Sequence, residues 1–118
     1  MIYADTDFFL ALLKGDDRLK NKALGILEKY KGMITTSVIT FIELGLVAKR
    51  YGLDVFKLFT AVMSICNIED ERIIKAALYM SENLNVFDAF HAAFSEGSII
   101  SSDHVFDKVG IKRIRLDD

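Results

Sequence analysis

Four acidic residues could together support metal-dependent chemistry. Two of them, Asp5 and Asp103, each follow a short predicted strand, and ligands of open α/β sheets bind beyond the carboxyl ends of the strands. The other two, Glu43 and Asp88, lie on predicted helices among apolar neighbours. An aspartate at the start of a helix can also be an N-cap, so this alternative stays open for Asp5, Asp88 and Asp103.

Glu43 has apolar neighbours at helical spacing, namely Ile39, Leu46 and Val47. We therefore expect its carboxylate to be buried or half-buried, where an unpaired charge is costly. Glu43 should then have either a cation or a basic partner, and a salt bridge to Arg50 is the structural alternative.

Asp88 stands in an equally apolar segment, Val-Phe-Asp-Ala-Phe-His-Ala-Ala-Phe at 86–94. It also needs a partner, and the alternatives to a metal ion are an N-cap role or a contact with His91. We assign structural roles to His91 and His104, because neither has the spacing of a metal-ligating pair.

Convergence of the four carboxylates would require cations. Two unit charges about 4 Å apart repel by about 4 kcal/mol at an effective dielectric constant near 20. Carboxylates suit Mg²⁺ or Mn²⁺ better than Zn²⁺, which prefers nitrogen and sulfur ligands. Such ions orient a phosphodiester, help to deprotonate water and stabilise the leaving oxyanion, so the pattern indicates phosphate-ester hydrolysis.

The elements that must position these acids alternate between short strands and helices. Strands are predicted at 1–5, 33–36, 98–102 and 111–116, and helices at 6–14, 17–31, 37–51, 54–64, 69–83 and 87–96. A turn or short helix is predicted at 103–109. This order predicts an α/β protein, a three-layer α/β/α domain whose central, mainly parallel sheet has about four to five short strands. No linker interrupts the chain, so we expect one domain over 1–118.

Composition limits the class of protein. A chain of 118 residues with 52% hydrophobic and 27% charged residues can form one core. A net charge of −2 argues against a protein that binds nucleic acid through bulk basic charge, although bound divalent cations would supply positive charge locally. Cys66 is the only cysteine, which excludes an internal disulfide and fits a cytoplasmic protein. We expect neither a signal peptide nor a membrane span.

Several short motifs follow one another in a specific order. They are Asp5-Thr6, Ser37 followed by Glu43-Leu44, Asp88-Ala89 with Ala92-Ala93, and Ile99-Ile100-Ser101-Ser102-Asp103 leading to Phe106. In this order the chain resembles the PIN-domain nucleases over nearly its whole length, and especially the small prokaryotic VapC-type toxins. The block from Asp88 onwards is the most specific part of the resemblance.

The resemblance implies a PIN-like fold and metal-dependent RNA cleavage. It implies that the catalytic residues, which hold Mg²⁺ or Mn²⁺, are Asp5, Glu43, Asp88 and Asp103. Thr6 and Ser102 would assist through their hydroxyl groups. The resemblance also implies a homodimer and, for a toxin, inhibition by a small antitoxin protein.

The chain departs from the family's pattern at two positions. Val105 stands where a second acid or a histidine is common, and Asp107 is the residue that could substitute for it. Asp7 stands where a small or apolar residue is common, so it either adds an acid to the metal site or faces solvent.

Two surfaces could meet partners. Residues 53–65 are apolar over more than one helical face, which predicts a homodimer or antitoxin contact there. Basic residues near the C-terminus either guide RNA or keep an edge strand soluble; they are Lys108, Lys112, Arg113 and Arg115.

Two other functions remain as alternatives. One is a non-catalytic PIN-like module that binds RNA or protein, which the presence of all four acids disfavours. The other is an aspartate-nucleophile phosphatase of the haloacid-dehalogenase type, based on Asp5 and Asp7. Phe9 disfavours this second alternative, because such enzymes usually have threonine or valine at that position.

Overall fold

The structure is a computed structural model and describes residues 1–15 and 18–116. In chain order, the elements are β1 (Ile2–Tyr3), α1 (Thr6–Leu13), α2 (Lys20–Lys29), β2 (Ile34–Thr35), α3 (Val38–Tyr51), α4 (Val55–Cys66), α5 (Glu71–Ser81), α6 (Val86–Phe94), β3 (Ser98–Ser101), α7 (Val105–Lys108) and β4 (Lys112–Arg115). They divide into two compact units, Met1–Glu69 and Asp70–Asp118.

The predicted α/β class with parallel strands is confirmed. In the first unit β1 pairs with β2 in parallel, and in the second unit β3 pairs with β4 in parallel. Helix boundaries shift inward by two or three residues from several predicted ends. The predicted start of the second helix, Asp17, lies outside the described residues, and α2 begins at Lys20. The prediction of one domain over 1–118 stays a prediction.

In the first unit, local signals place the helix ends. Ser37 is the N-cap residue of α3, as predicted, and Gly52 closes this helix with a left-handed φ of 65° that glycine adopts without strain. Asp54 caps α4 by accepting a hydrogen bond from the backbone N–H of Lys57 at 3.1 Å. The helices pack through buried aromatic rings, with Phe41 and Phe59 edge-to-face at 5.5 Å between centroids.

In the second unit, α5 and α6 begin at side-chain caps that were not recognised in the sequence. Asp70 accepts from the backbone N–H of Arg72 at 3.0 Å and caps α5, and Asn85 caps α6. One cluster of buried residues in this unit consists of Leu84, Ala89, Ala92, Phe106 and Ile111. This cluster joins α6 to α7 and to the residue that precedes β4.

The apolar segment 53–65 is mostly covered. Leu58, Phe59 and Val62 are buried, and among the large hydrophobic side chains of the segment only Phe56 is clearly exposed, at 46%. This segment is mostly covered because α4 packs against α3 and β2, and the predicted homodimer or antitoxin contact there stays a prediction. None of the described helices combines the length and hydrophobicity needed to cross a lipid bilayer.

Candidate functional site

The first two predicted metal ligands along the chain, Asp5 and Glu43, meet through one threonine. Asp5 ends the β1 segment and caps α1, with its Oδ1 accepting from the backbone N–H of Thr6 at 2.6 Å. The Thr6 hydroxyl donates to Oε1 of Glu43 on α3 at 2.7 Å. Thr6 is 7% exposed, whereas both acids are exposed. One buried residue thus binds two solvent-facing carboxylates of the first unit, Asp5 through its backbone N–H and Glu43 through its hydroxyl.

The expected burial of Glu43 is wrong. Its neighbours Ile39 and Leu46 are 61% and 44% exposed, so this stripe of α3 faces outward while Phe41 and Leu44 enter the core. Within the described residues Glu43 forms no ion pair with Arg50. The carboxylate is exposed to solvent, and its orientation comes from the Thr6 hydroxyl rather than from a basic partner.

A network of hydroxyl groups joins the carboxyl ends of β1 and β2 to α3. The hydroxyls of Tyr3 and Ser37 lie 2.6 Å apart, and those of Thr36 and Thr40 also lie 2.6 Å apart. Thr36 also donates to the carbonyl of Ala4 at 3.0 Å. The hydrogen bond between Tyr3 and Ser37 lowers the pKa of Tyr3 below its usual value. Sequence reasoning missed this network, because its longest contact joins residues 34 positions apart.

Asp88 lies in the first turn of α6 and is not its N-cap. The cap is Asn85, whose Oδ1 accepts from the backbone N–H of Asp88 at 2.8 Å. In return, Nδ2 of Asn85 donates to Oδ2 of Asp88 at 2.9 Å. Spacing of three residues between two polar side chains is the signature of a reciprocal cap, so this role of Asn85 could have been read from the sequence.

Asp103 follows β3 in an exposed turn. Its Oδ1 accepts from the backbone N–H of Val105 at 2.9 Å, and its own backbone N–H donates to Oγ of Ser101 at 2.9 Å. The hydroxyl that shapes this turn therefore belongs to Ser101. Ser102 is exposed, and its predicted accessory role stays a prediction.

Both carboxylate oxygens of Asp107 already have partners. Oδ1 accepts from Nε of Arg113 at 3.2 Å, and Oδ2 lies 3.2 Å from Nη2 of Arg113 and 3.3 Å from Nδ1 of His104. The hydrogen bonds from Arg113 hold the pKa of Asp107 below its usual value. These contacts favour a structural role for Asp107 over the predicted substitute ligand.

Arg113 was predicted to be a solvent-exposed basic residue on an edge strand, and the structure shows otherwise. Its side chain is 5% exposed, and its Nη1 donates to the carbonyl of Ser101 at 2.9 Å. Because it also binds Asp107, it ties α7 and β4 to the end of β3.

The four predicted metal ligands have one property in common. One oxygen of each carboxylate is held by a hydrogen bond, and across residues 1–15 and 18–116 no protein donor is seen on the other oxygen. The four are Asp5, Glu43, Asp88 and Asp103. Oriented carboxylates with a free oxygen fit a hard cation such as Mg²⁺ or Mn²⁺. Among the described residues of either unit, no group of three or more histidine, cysteine, aspartate or glutamate side chains is arranged to hold a metal ion.

Comparison with protein families gives one match. A family model described as PIN domain matches residues 2–112, which include all four acids and both units. Neither the curated proteins nor the solved structures contain a significant match to the chain.

Proposed function

The chain belongs to the PIN-domain family, and we propose that it is an endoribonuclease that hydrolyses RNA phosphodiester bonds with Mg²⁺ or Mn²⁺. PIN domains are generally nucleases, and they typically bind divalent metal ions. The observation that carries the proposal is the Asp5–Thr6–Glu43 contact, because it holds two carboxylates together at the carboxyl end of a strand.

The proposed metal ligands are Asp5, Glu43, Asp88 and Asp103. When bound there, the metal would polarise a phosphate and lower the pKa of a water molecule. The protein's own contribution is orientation. Thr6 holds Glu43, and Asn85 holds Asp88, so that each carboxylate has one oxygen directed by the protein. Outer partners of this kind orient metal ligands and tune their affinity.

The biological setting is also a proposal. Following the resemblance to VapC-type toxins, we propose that the protein is the cytoplasmic toxin of a toxin-antitoxin pair. It would form a homodimer, act as one domain over 1–118, and be inhibited by a small antitoxin protein. Phe56 on α4 is the exposed aromatic residue in the segment that we predicted to meet a partner.

The test is cleavage of a mixed structured RNA by the wild type with Mg²⁺, Mn²⁺ or a chelator, alongside Asp5→Asn, Glu43→Gln and Asp88→Asn. We expect the wild type to cleave RNA with either metal and not with the chelator. The cleavage rate of each variant should be at least about 100-fold lower than that of the wild type. Asp5→Asn should keep α1 intact, since asparagine caps helices as well as aspartate does.

Two matched substitutions control for general effects of lost charge. Asp54→Asn alters a helix cap without touching a proposed ligand, and Glu82→Gln alters an exposed acid at the end of α5. Both should cleave RNA like the wild type. If the folded wild type cuts no RNA under any metal condition, the nuclease proposal fails and a non-catalytic binding module replaces it.

A further inference from the structure

A groove of about 650 Å³ opens in the first unit between β1 and one face of α2. Polar and aromatic side chains are among those that line it, including Tyr3, Asp5, Asn21, Lys22, Lys29 and Tyr30. We propose that this groove, called here the β1–α2 groove, binds a single-stranded segment of the RNA next to the phosphate that is cleaved. The inference rests on the proposed function, because Asp5 is both a proposed metal ligand and part of the groove.

Charge complementarity is the first argument for RNA. The chain as a whole is slightly acidic, yet α2 carries three lysines and one acid within ten residues. Lys22 and Lys29 both line the groove and both are exposed. They stand two helical turns apart, roughly 10 Å along the axis, so their positive charge extends along the groove. Lysines spaced along a groove bind successive phosphates even when the protein as a whole carries no positive net charge.

Two tyrosine rings are the second argument. Tyr3 is 56% exposed, and its hydroxyl contact with Ser37 fixes the ring at the groove. Tyr30 is partly exposed, and the Lys29 ammonium lies 5.3 Å from the centre of its ring. Proteins that bind single strands combine aromatic stacking surfaces with cations along the backbone of the strand.

Gly25 is the third argument. It lies inside α2 and lines the groove, although glycine weakens a helix relative to alanine. A Cβ placed there would meet no atom within 4 Å, and its φ is not in the left-handed region, so neither packing nor backbone geometry requires glycine. Absence of a side chain leaves the groove wall open to close approach by the backbone of a ligand.

The test measures binding apart from cleavage, by fluorescence anisotropy of a labelled mixed-sequence single-stranded RNA in EDTA. The groove variant Lys22→Ala/Lys29→Ala is compared with Lys49→Ala/Lys57→Ala, which removes the same charge from α3 and α4. We expect the groove variant to bind about 10- to 30-fold more weakly at 0.1 M salt. The slope of the logarithm of the binding constant against the logarithm of the salt concentration should become less steep by about 1.4. This corresponds to about 0.7 for each of two lost phosphate contacts. The control should bind like the wild type.

Two further pairs test the aromatic and glycine arguments. Tyr30→Leu should weaken RNA binding at least about 5-fold, whereas Tyr51→Leu, an exposed tyrosine outside the groove, should not. Gly25→Ala should raise the melting temperature by about 2–5 °C and yet weaken RNA binding. A purely structural glycine would instead leave RNA binding unchanged.

The outcomes separate the two proposals. If the wild type cleaves RNA but the groove and control variants bind it equally well, the groove inference is overturned and the nuclease stands. If binding falls only in the groove variant while the wild type does not cleave, the groove stands and the nuclease fails. A change of oligomeric state in Gly25→Ala with unchanged RNA binding would assign the groove to a protein partner and overturn the inference.

Discussion

At the scale of single residues, Thr6 has the most specific part in the candidate site. Its backbone N–H binds Asp5 and its hydroxyl binds Glu43, so one buried residue orients two carboxylates. The acids themselves are exposed and would otherwise move with their own rotamers. Orientation by a neighbouring donor, rather than burial, is therefore what prepares these residues to bind a cation.

Thr6→Val should separate this orienting role from packing, because valine keeps the shape and loses only the hydroxyl. We expect a 10- to 100-fold loss of Mn²⁺ affinity or of cleavage rate, the usual range for outer partners of metal ligands. Isothermal titration calorimetry with Mn²⁺ and the cleavage assay measure the two effects.

Thr6→Ser keeps the hydroxyl and should recover most of the lost function. Thr60→Val is the matched control, since the Thr60 hydroxyl donates to carbonyls of its own helix, at 2.9 and 3.2 Å. Equal losses in Thr6→Val and Thr60→Val would contradict the orienting role.

At the scale of elements, two small devices position the candidate residues of the second unit. Asn85 caps α6 and binds Asp88 at the same time. Arg113 on β4 binds Asp107 on α7 and the carbonyl of Ser101 at the end of β3. The first contact acts within the start of α6, whereas the second joins three elements and fixes the end of β3, next to the turn that carries Asp103.

Asn85→Ala should destabilise the protein by about 1 kcal/mol, because it leaves a backbone N–H of α6 without a cap. The change is measured by urea denaturation. It should also lower the cleavage rate, since Asp88 loses the donor that holds its Oδ2. Asn85→Asp keeps the cap and should restore stability but not the donor to Asp88. A rate in Asn85→Asp equal to that of the wild type would show that the cap alone matters.

The Asp107–Arg113 pair makes part of the stability depend on pH. The pKa of Asp107 is lowered in the folded protein, so its contribution is present above the unfolded pKa of about 3.9 and is lost as pH falls through the folded pKa. The difference in free energy of unfolding between the wild type and Asp107→Asn should therefore be present at neutral pH and disappear in acid.

Denaturation at a series of pH values measures this difference. Glu82→Gln, which changes an exposed acid at the end of α5, should show little difference from the wild type at neutral pH. A difference for Asp107→Asn that stays constant below pH 4 would contradict the ion pair as its source.

At the scale of the whole molecule, family membership and charge together limit how the protein can work. The PIN-domain match extends over residues 2–112, through both compact units. A net charge of −2 gives no general attraction for nucleic acid, so the proposed RNA binding requires local positive charge such as that of the α2 lysines.

The proposed homodimer is testable through Phe56, which is 46% exposed on an otherwise largely covered helix. Light scattering of the wild type should give a mass of two chains of 13.3 kDa each. Phe56→Ser should shift the mass toward one chain, because a buried aromatic contact of a dimer would be lost. Lys57→Ser, on the neighbouring exposed position, should remain a dimer. A monomeric wild type would rule out the dimer.

Much of the fold could be predicted from short segments of sequence. The predicted helix after Ser37 ends before Gly52 as expected, because caps and left-handed glycines act within a few residues. The order of the short acidic motifs along the chain indicated the PIN-domain family, and the family match confirms this prediction. Asn85 shows that a local signal can also be overlooked, since its cap lies only three residues from Asp88.

The long-range contacts of the candidate residues were decided only by the tertiary structure. Thr6 reaches Glu43 across 37 positions, and the apolar stripe that predicted a buried Glu43 turned out to face outward. Arg113 reads as an edge-strand charge in the sequence, yet the fold buries it against Asp107. Sequence periodicity determines which residues share a face of a helix, but packing determines which face is covered and which distant side chains meet there.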